Sequence, residues 1–187
     1  MEYLNIIIAA ILVNNLLLTQ VLGIDSAVIV TKSKRTTMVF SIFTLLITVI
    51  ATILSKLLND YVLVENSLEY LRMISFVLID AVVITIAYEI LKNKVKKECN
   101  AFIYNLTINS LILGGGLLVV ENNLTIIQTL LYSIGISLGF MLILVIVSSI
   151  NDKYKYSNMP EKFKGTVTTL LALGLVSLAF YGFKGLI

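Results

Sequence analysis

Six apolar stretches, at residues 3–31, 36–58, 68–91, 101–120, 124–150 and 165–187, leave this chain few ways to fold. A helix needs about 20 residues to cross a bilayer, and most of these stretches fit one crossing. Shorter β-rich runs inside them, Val28–Val30 and Val82–Ile84, would read as buried strands in a soluble protein. Apolar runs of such length override that reading, and helices satisfy their own backbone groups in lipid. The expectation is an all-α integral membrane protein with six transmembrane helices in a single domain, residues 1–187. Only 13% of residues are charged and 58% are hydrophobic, where a soluble domain carries about 25% charge. That balance excludes a nucleic-acid binder and makes the lipid bilayer the first partner. Met1–Glu2 offers no basic start and no small-residue cleavage site follows, so a signal peptide is not expected.

Charge placement gives an orientation. Lys32, Lys34 and Arg35 follow the first span, Lys92, Lys94, Lys96 and Lys97 the third, and Lys153, Lys155, Lys162 and Lys164 the fifth. The alternate connections carry Asp60, Glu65, Glu69 and Glu121, with only Lys56 and Arg72 nearby. Cytoplasmic loops are the basic ones, so both termini are expected outside the cell membrane. Each half, residues 1–92 and 99–187, then holds three spans, so the two enter the membrane from opposite sides. Related halves would form a 3+3 inverted repeat, with any site near the midplane between them. The best internal correspondence sets LLTQVLGIDSAVIV, from Leu17, beside YNLTINSLILGGGL, from Tyr104. Both are interrupted by polar residues and glycine, so the first and fourth helices are expected to be broken, near Gly23–Ser26 and Asn109–Gly116.

Polar residues inside the spans are the candidates for function. A carboxylate in hydrocarbon costs roughly 2.5–3.5 kcal/mol on insertion scales, so it pairs, lines a wet cavity or carries ions. Asp25 either does one of these or is solvated near Lys32 at the end of its helix. Asp80 lies mid-span, where a buried partner or an aqueous path is expected over simple solvation. Glu89, beside the basic loop, reads as interfacial. Asn14, Asn15, Thr107, Asn109 and Ser110 either line a pathway or make ordinary interhelical hydrogen bonds, worth about 0.6 kcal/mol each. Gly135 and Gly139 form a small-residue packing face, and Gly114–Gly115–Gly116 either breaks its helix or permits close approach.

The chain has no His and one Cys, Cys99. No Ser/His or Cys/His catalytic arrangement and no soft-metal cluster can therefore be built within it. At most it is a subunit of an enzyme, without a catalytic site of its own.

Three motifs occur in order along almost the whole chain: VNNLLLTQVLG at Val13–Gly23, YLR at Tyr70–Arg72, and MPEKFKG followed by GLVSLAFYGFKGL at Met159–Gly165 and Gly174–Leu186. With them the sequence resembles the RnfA/NqrE-type membrane subunits of Rnf and Na⁺-translocating NADH:quinone oxidoreductase complexes. The resemblance implies two inverted three-helix halves with broken first and fourth helices. It also implies a related, oppositely oriented partner of the RnfE/NqrD type, and further complex subunits. In that family two such subunits share a 2Fe–2S cluster inside the membrane, through one Cys from each half of each.

At those positions this sequence departs. Where the family has LGLC it reads Leu22–Gly23–Ile24–Asp25, and where the family has TNC it reads Ile108–Asn109–Ser110. Tyr88, followed by Glu89, stands where the family has a Glu late in the third helix. Clusters are held chiefly by thiolates, so no iron–sulfur cofactor of its own is expected. Asp25 and Ser110 are instead expected to converge, with Asn14, Asn15 and Asn109, as a small polar site suited to a hard cation, a proton or water. Two functions remain open: a bacterial inner-membrane subunit of an Rnf-like electron-transport complex, or a cysteine-free paralogue. The paralogue would act as an ion or small-solute transporter, or as a structural partner, paired with a relative or with itself.

Overall fold

The computed structural model describes residues 2–31, 33–91, 109–154, 160 and 165–183. Cys99, Thr107, Lys32, the Lys92–Lys97 cluster and most of Met159–Lys164 lie outside these residues. Every described element is helical. The first apolar stretch forms three pieces: α1 at Glu2–Ile8, running into a π-turn at Ala9–Val13, α2 at Leu16–Thr19, and α3 at Ile24–Val30. Then come α4 at Lys34–Leu58, extended by a π-turn at Asn59–Val64, and α5 at Arg72–Leu91, opened by a 3-10 turn at Glu69–Leu71. In the second half lie α6 at Ser110–Glu121, α7 at Ile126–Tyr154 and α8 at Thr166–Tyr181.

Among the described residues, three helices are long and apolar enough to cross a membrane: Lys34–Val64, Glu69–Ile90 and Ile126–Tyr154. Ser110–Glu121 and Thr166–Tyr181 are apolar but shorter. The longest helix-to-helix interface joins α4 and α7. Phe40, Ile47 and Ala51 of α4 are buried with Ile136, Phe140, Ile143 and Leu144 of α7 in one core. Small hydroxyl residues share this seam, as close packing in lipid favours. Ser41 and Thr44 return their hydroxyls to the carbonyls of Thr37 and Phe40 (2.8 and 2.9 Å), and Ser137 returns its own to Ser133 (2.7 Å).

By contrast, α5 buries little. Phe76, Val83 and Ile84 face the core, while Met73, Ile74, Val77, Leu78, Val82, Ile86 and Ile90 are exposed. Such a face is a liability in water and ordinary against lipid, whose chains are as apolar as Leu. A second small core of Leu63, Phe76 and Val120 brings the turns at residues 65–68 and 122–125 to the same end of the bundle. A polar network lies at the α4–α5 side of that end. Arg72 Nε donates to Asn59 Oδ1 (2.9 Å), while Asn59 Nδ2 and Lys56 Nζ both donate to Asp60 Oδ1 (3.0 Å each). Arg72 of the YLR motif thereby ties the start of α5 to the end of α4.

The breaks differ from the expected ones in position. The first helix is interrupted twice, at Asn14–Asn15 and at Gln20–Gly23, and Ser26 lies within α3. Gly114, Gly115 and Gly116 do not break α6, which is continuous from Ser110. They let other elements come close instead. A Cβ on Gly114 would run into Leu22 Cδ1, and one on Gly115 would stand 2.7 Å from Ile136 Cδ1. Because residues 101–108 lie outside the described residues, α6 is defined only from its cap onward.

Candidate functional site

The first break is built around Asn15. Its backbone is extended (φ −63°, ψ 113°), and its side-chain oxygen accepts from Leu17 N–H at 3.2 Å, capping α2. Its Nδ2 donates to Ile11 O at 3.0 Å, so one buried amide satisfies the chain on both sides of the gap. The bed for this crossing is the glycine pair of α7. A Cβ on Gly139 would lie 2.8 Å from Asn15 Nδ2 and 3.1 Å from Ile11 Cα, and one on Gly135 would lie 2.8 Å from Ala10 Cβ. At the far end of α2, Ser177 of α8 donates its hydroxyl to Leu18 O at 3.2 Å. That serine belongs to the GLVSLAF motif.

The second break turns through Val21 and Gly23, both with positive φ (62° and 85°). A β-branched residue in that region stores strain, whereas glycine enters it freely. Gly23 also has no room for a side chain, since a Cβ would stand 2.7 Å from Phe140 Cε2 and 3.3 Å from Asn109 Oδ1. Its N–H donates to Ser110 Oγ at 2.9 Å, and Ser110 Oγ donates onward to Asp25 Oδ1 at 3.2 Å. This short relay joins residues 85 positions apart in sequence, at the first turns of α3 and α6. Asn109 caps α6, its Oδ1 accepting from Leu111 N–H at 3.0 Å, but its Nδ2 is buried without an acceptor among the described residues. An unmet buried donor of this kind is costly unless something binds it.

The structure thus brings together Asp25, Ser110 and Asn109. Asn15 serves the neighbouring break and bonds to Ile11 and Leu17 instead. Asn14 is exposed and lines an open cavity rather than the junction. Asp80 is elsewhere, on the inward face of α5 with Phe76, Val83 and Ile84, and forms no hydrogen bond or ion pair among the described residues.

One polar cluster was not legible in the sequence. Asn151 Nδ2, at the end of α7, donates to Thr31 Oγ1 at 3.1 Å and to Thr169 Oγ1 at 2.9 Å. It clasps the ends of α3, α7 and α8. The only signal was an Asn and two Thr near span ends, a pattern too common in membrane helices to stand out.

The junction does not fit an iron–sulfur cluster. The two positions where the resembled family has cysteines hold a carboxylate and a hydroxyl already hydrogen-bonded to each other. Among the described residues no three His, Cys, Asp or Glu side chains gather to hold a metal. Carboxylate, hydroxyl and amide oxygens suit hard ions, while iron–sulfur centres take thiolates.

Comparison with known proteins agrees with the motifs. A family model described as Rnf-Nqr subunit, membrane protein, matches residues 3–187. The A-type subunit of the ion-translocating oxidoreductase complex of Shewanella oneidensis is 33% identical over 189 residues, spanning 100% of this chain and 98% of the relative. That of Alcanivorax borkumensis is 35% identical over 190 residues, with the same coverage. Its Vibrio cholerae counterpart is 33% identical over 190 residues, again across 100% of this chain and 98% of its own. With a family match along nearly its full length and relatives above 30% identity throughout, the chain belongs to the Rnf-Nqr family of membrane subunits.

Proposed function

We propose that the chain is the A-type subunit of an ion-translocating oxidoreductase complex, in a form whose intramembrane junction carries oxygen ligands in place of a cluster. The name of its relatives, their coverage of the whole chain and the helical membrane architecture support the subunit role. The observation that carries the rest is the Gly23–Ser110–Asp25 relay, which joins the two family ligand positions through oxygen. At that point a proton or hard cation finds a carboxylate and a hydroxyl.

The arrangement in the membrane follows the charges. Six spans in two inverted halves, residues 1–92 and 99–187, place Lys92–Lys97 in the cytoplasm and both termini outside the bacterial inner membrane. The exposed apolar face of α5 leaves room for lipid, for an RnfE/NqrD-like partner or for a second copy. Other members of the complex supply the redox cofactors.

Metal analysis tests the junction. The chain purified under anaerobic conditions is expected to hold no stoichiometric iron or acid-labile sulfide. Both in equal and stoichiometric amounts would overturn the proposal.

A further inference from the structure

Beside the first break lies a cavity of about 870 Å³. Asn14, Thr19 and Gln20 of the broken helix line it with Glu121 and Asn122 at the end of α6 and Tyr132 of α7. At about 30 Å³ per water molecule, it holds on the order of thirty waters. That is far more than a bare ion fills, and it suits an ion that keeps its hydration shell. Glu121 is the one charged residue in the lining, and no Lys or Arg among the described residues contributes to it. The other polar groups are neutral amides and hydroxyls, and the rest of the wall is apolar, including Ile6, Leu16 and Leu118. A lone carboxylate backed by low-dielectric walls concentrates cations and repels anions.

A second cavity adjoins it. Thr19 lines a second, smaller cavity of about 210 Å³ together with Asn15 and Ser177. The single turn α2 therefore has open space against two of its sides, where a packed interior leaves few voids larger than a water. Past α2 the chain runs directly through Val21 and Gly23 into the Ser110–Asp25 relay.

We propose that this cavity is an aqueous vestibule that admits hydrated cations to the first-helix break and turns anions away through Glu121. The inference rests on the ion-translocating reading above and adds to it the entrance and its charge filter. It concerns the end of the bundle that holds the turns at residues 65–68 and 122–125.

Thiol access tests it in the assembled complex. The native cysteine is first removed by Cys99→Ser. Asn14→Cys and, separately, Gln20→Cys are then exposed to membrane-impermeant methanethiosulfonates carrying either a trimethylammonium or a sulfonate. The reagents are added on the side from which Asn66→Cys reacts, and each rate is normalised to that reagent's rate with a small free thiol. If a carboxylate stands on the order of 6 Å from a thiol in water, it favours the cation and disfavours the anion by about threefold each. The expected cation-to-anion ratio is therefore about ten, falling to near one when Glu121→Gln is added. Equal rates with Glu121 present overturn the charge filter. No reaction with either reagent while Asn66→Cys is modified overturns the vestibule, whether lipid or another protein of the complex fills it. The rates report access and charge alone, so an inactive pump is detected separately, by loss of ion uptake with the labelling pattern intact.

Discussion

At the scale of single residues, the chemistry of the junction was legible because it lies in departures from a pattern. Asp25 and Ser110 stood out where thiolates were expected, and the structure joins them through one hydroxyl. Asn109 was legible as polar, but its unmet Nδ2 became visible only once its oxygen was seen capping α6. Asp80 drew notice for the same reason as Asp25, yet it sits apart on α5. A carboxylate in an apolar run signals a constraint without saying which neighbour meets it. The glycines show the same limit. Gly139 lies against Asn15, Ile11 and Ala10, while Gly174 has nothing within 4 Å of its potential Cβ. Gly139→Ala forces the methyl against backbone atoms of the first helix and should cost about 1–3 kcal/mol. Gly174→Ala should be neutral or stabilise its helix by up to about 1 kcal/mol. Thermal unfolding of the two variants in detergent checks this pair, and equal midpoints would contradict the packing described.

At the scale of elements, the five later apolar stretches were placed within a few residues wherever the structure describes them, because hydropathy over such lengths fixes an apolar helix. The first was not resolved as well. Sequence placed one interruption near Gly23–Ser26, whereas the chain leaves helical geometry at Asn14–Asn15 and again at Gln20–Gly23. An Asn inside an apolar run is compatible with a continuous helix. What tips Asn15 into a break is the bed offered by Gly135 and Gly139 more than 100 residues later, a tertiary fact. The two capping asparagines also differ in what they hold. Asn15 caps α2 and satisfies Ile11 O, while Asn109 caps α6 alone. Asn109→Ala should therefore cost about 1 kcal/mol, a lost cap. Asn15→Ala should cost roughly 2–3 kcal/mol, since it also leaves a buried carbonyl unmet. A larger loss of stability for Asn109→Ala in chemical unfolding would reverse that assignment.

At the scale of the whole molecule, the chain keeps the motifs of its family along its length while the junction at Gly23–Asp25 and Ser110 has changed ligand chemistry. The α3 and α6 helices begin at one place and each supplies one side chain to it, as two related halves meeting there would do. The cavity beside the first break lies on the neighbouring stretch of the same broken helix. Under the proposed function Asp25 is the group on which ion movement depends, and its conversion to the isosteric amide keeps the shape. A hydrogen bond to a charged group is worth roughly 1.5–3 kcal/mol, which corresponds to a tenfold or greater change in an equilibrium. The direct measurement is redox-driven cation uptake by vesicles containing the assembled complex, with Asp25 and with Asp25→Asn. The account predicts uptake lowered about tenfold or more with subunit content unchanged; uptake equal to that of the native complex would contradict it.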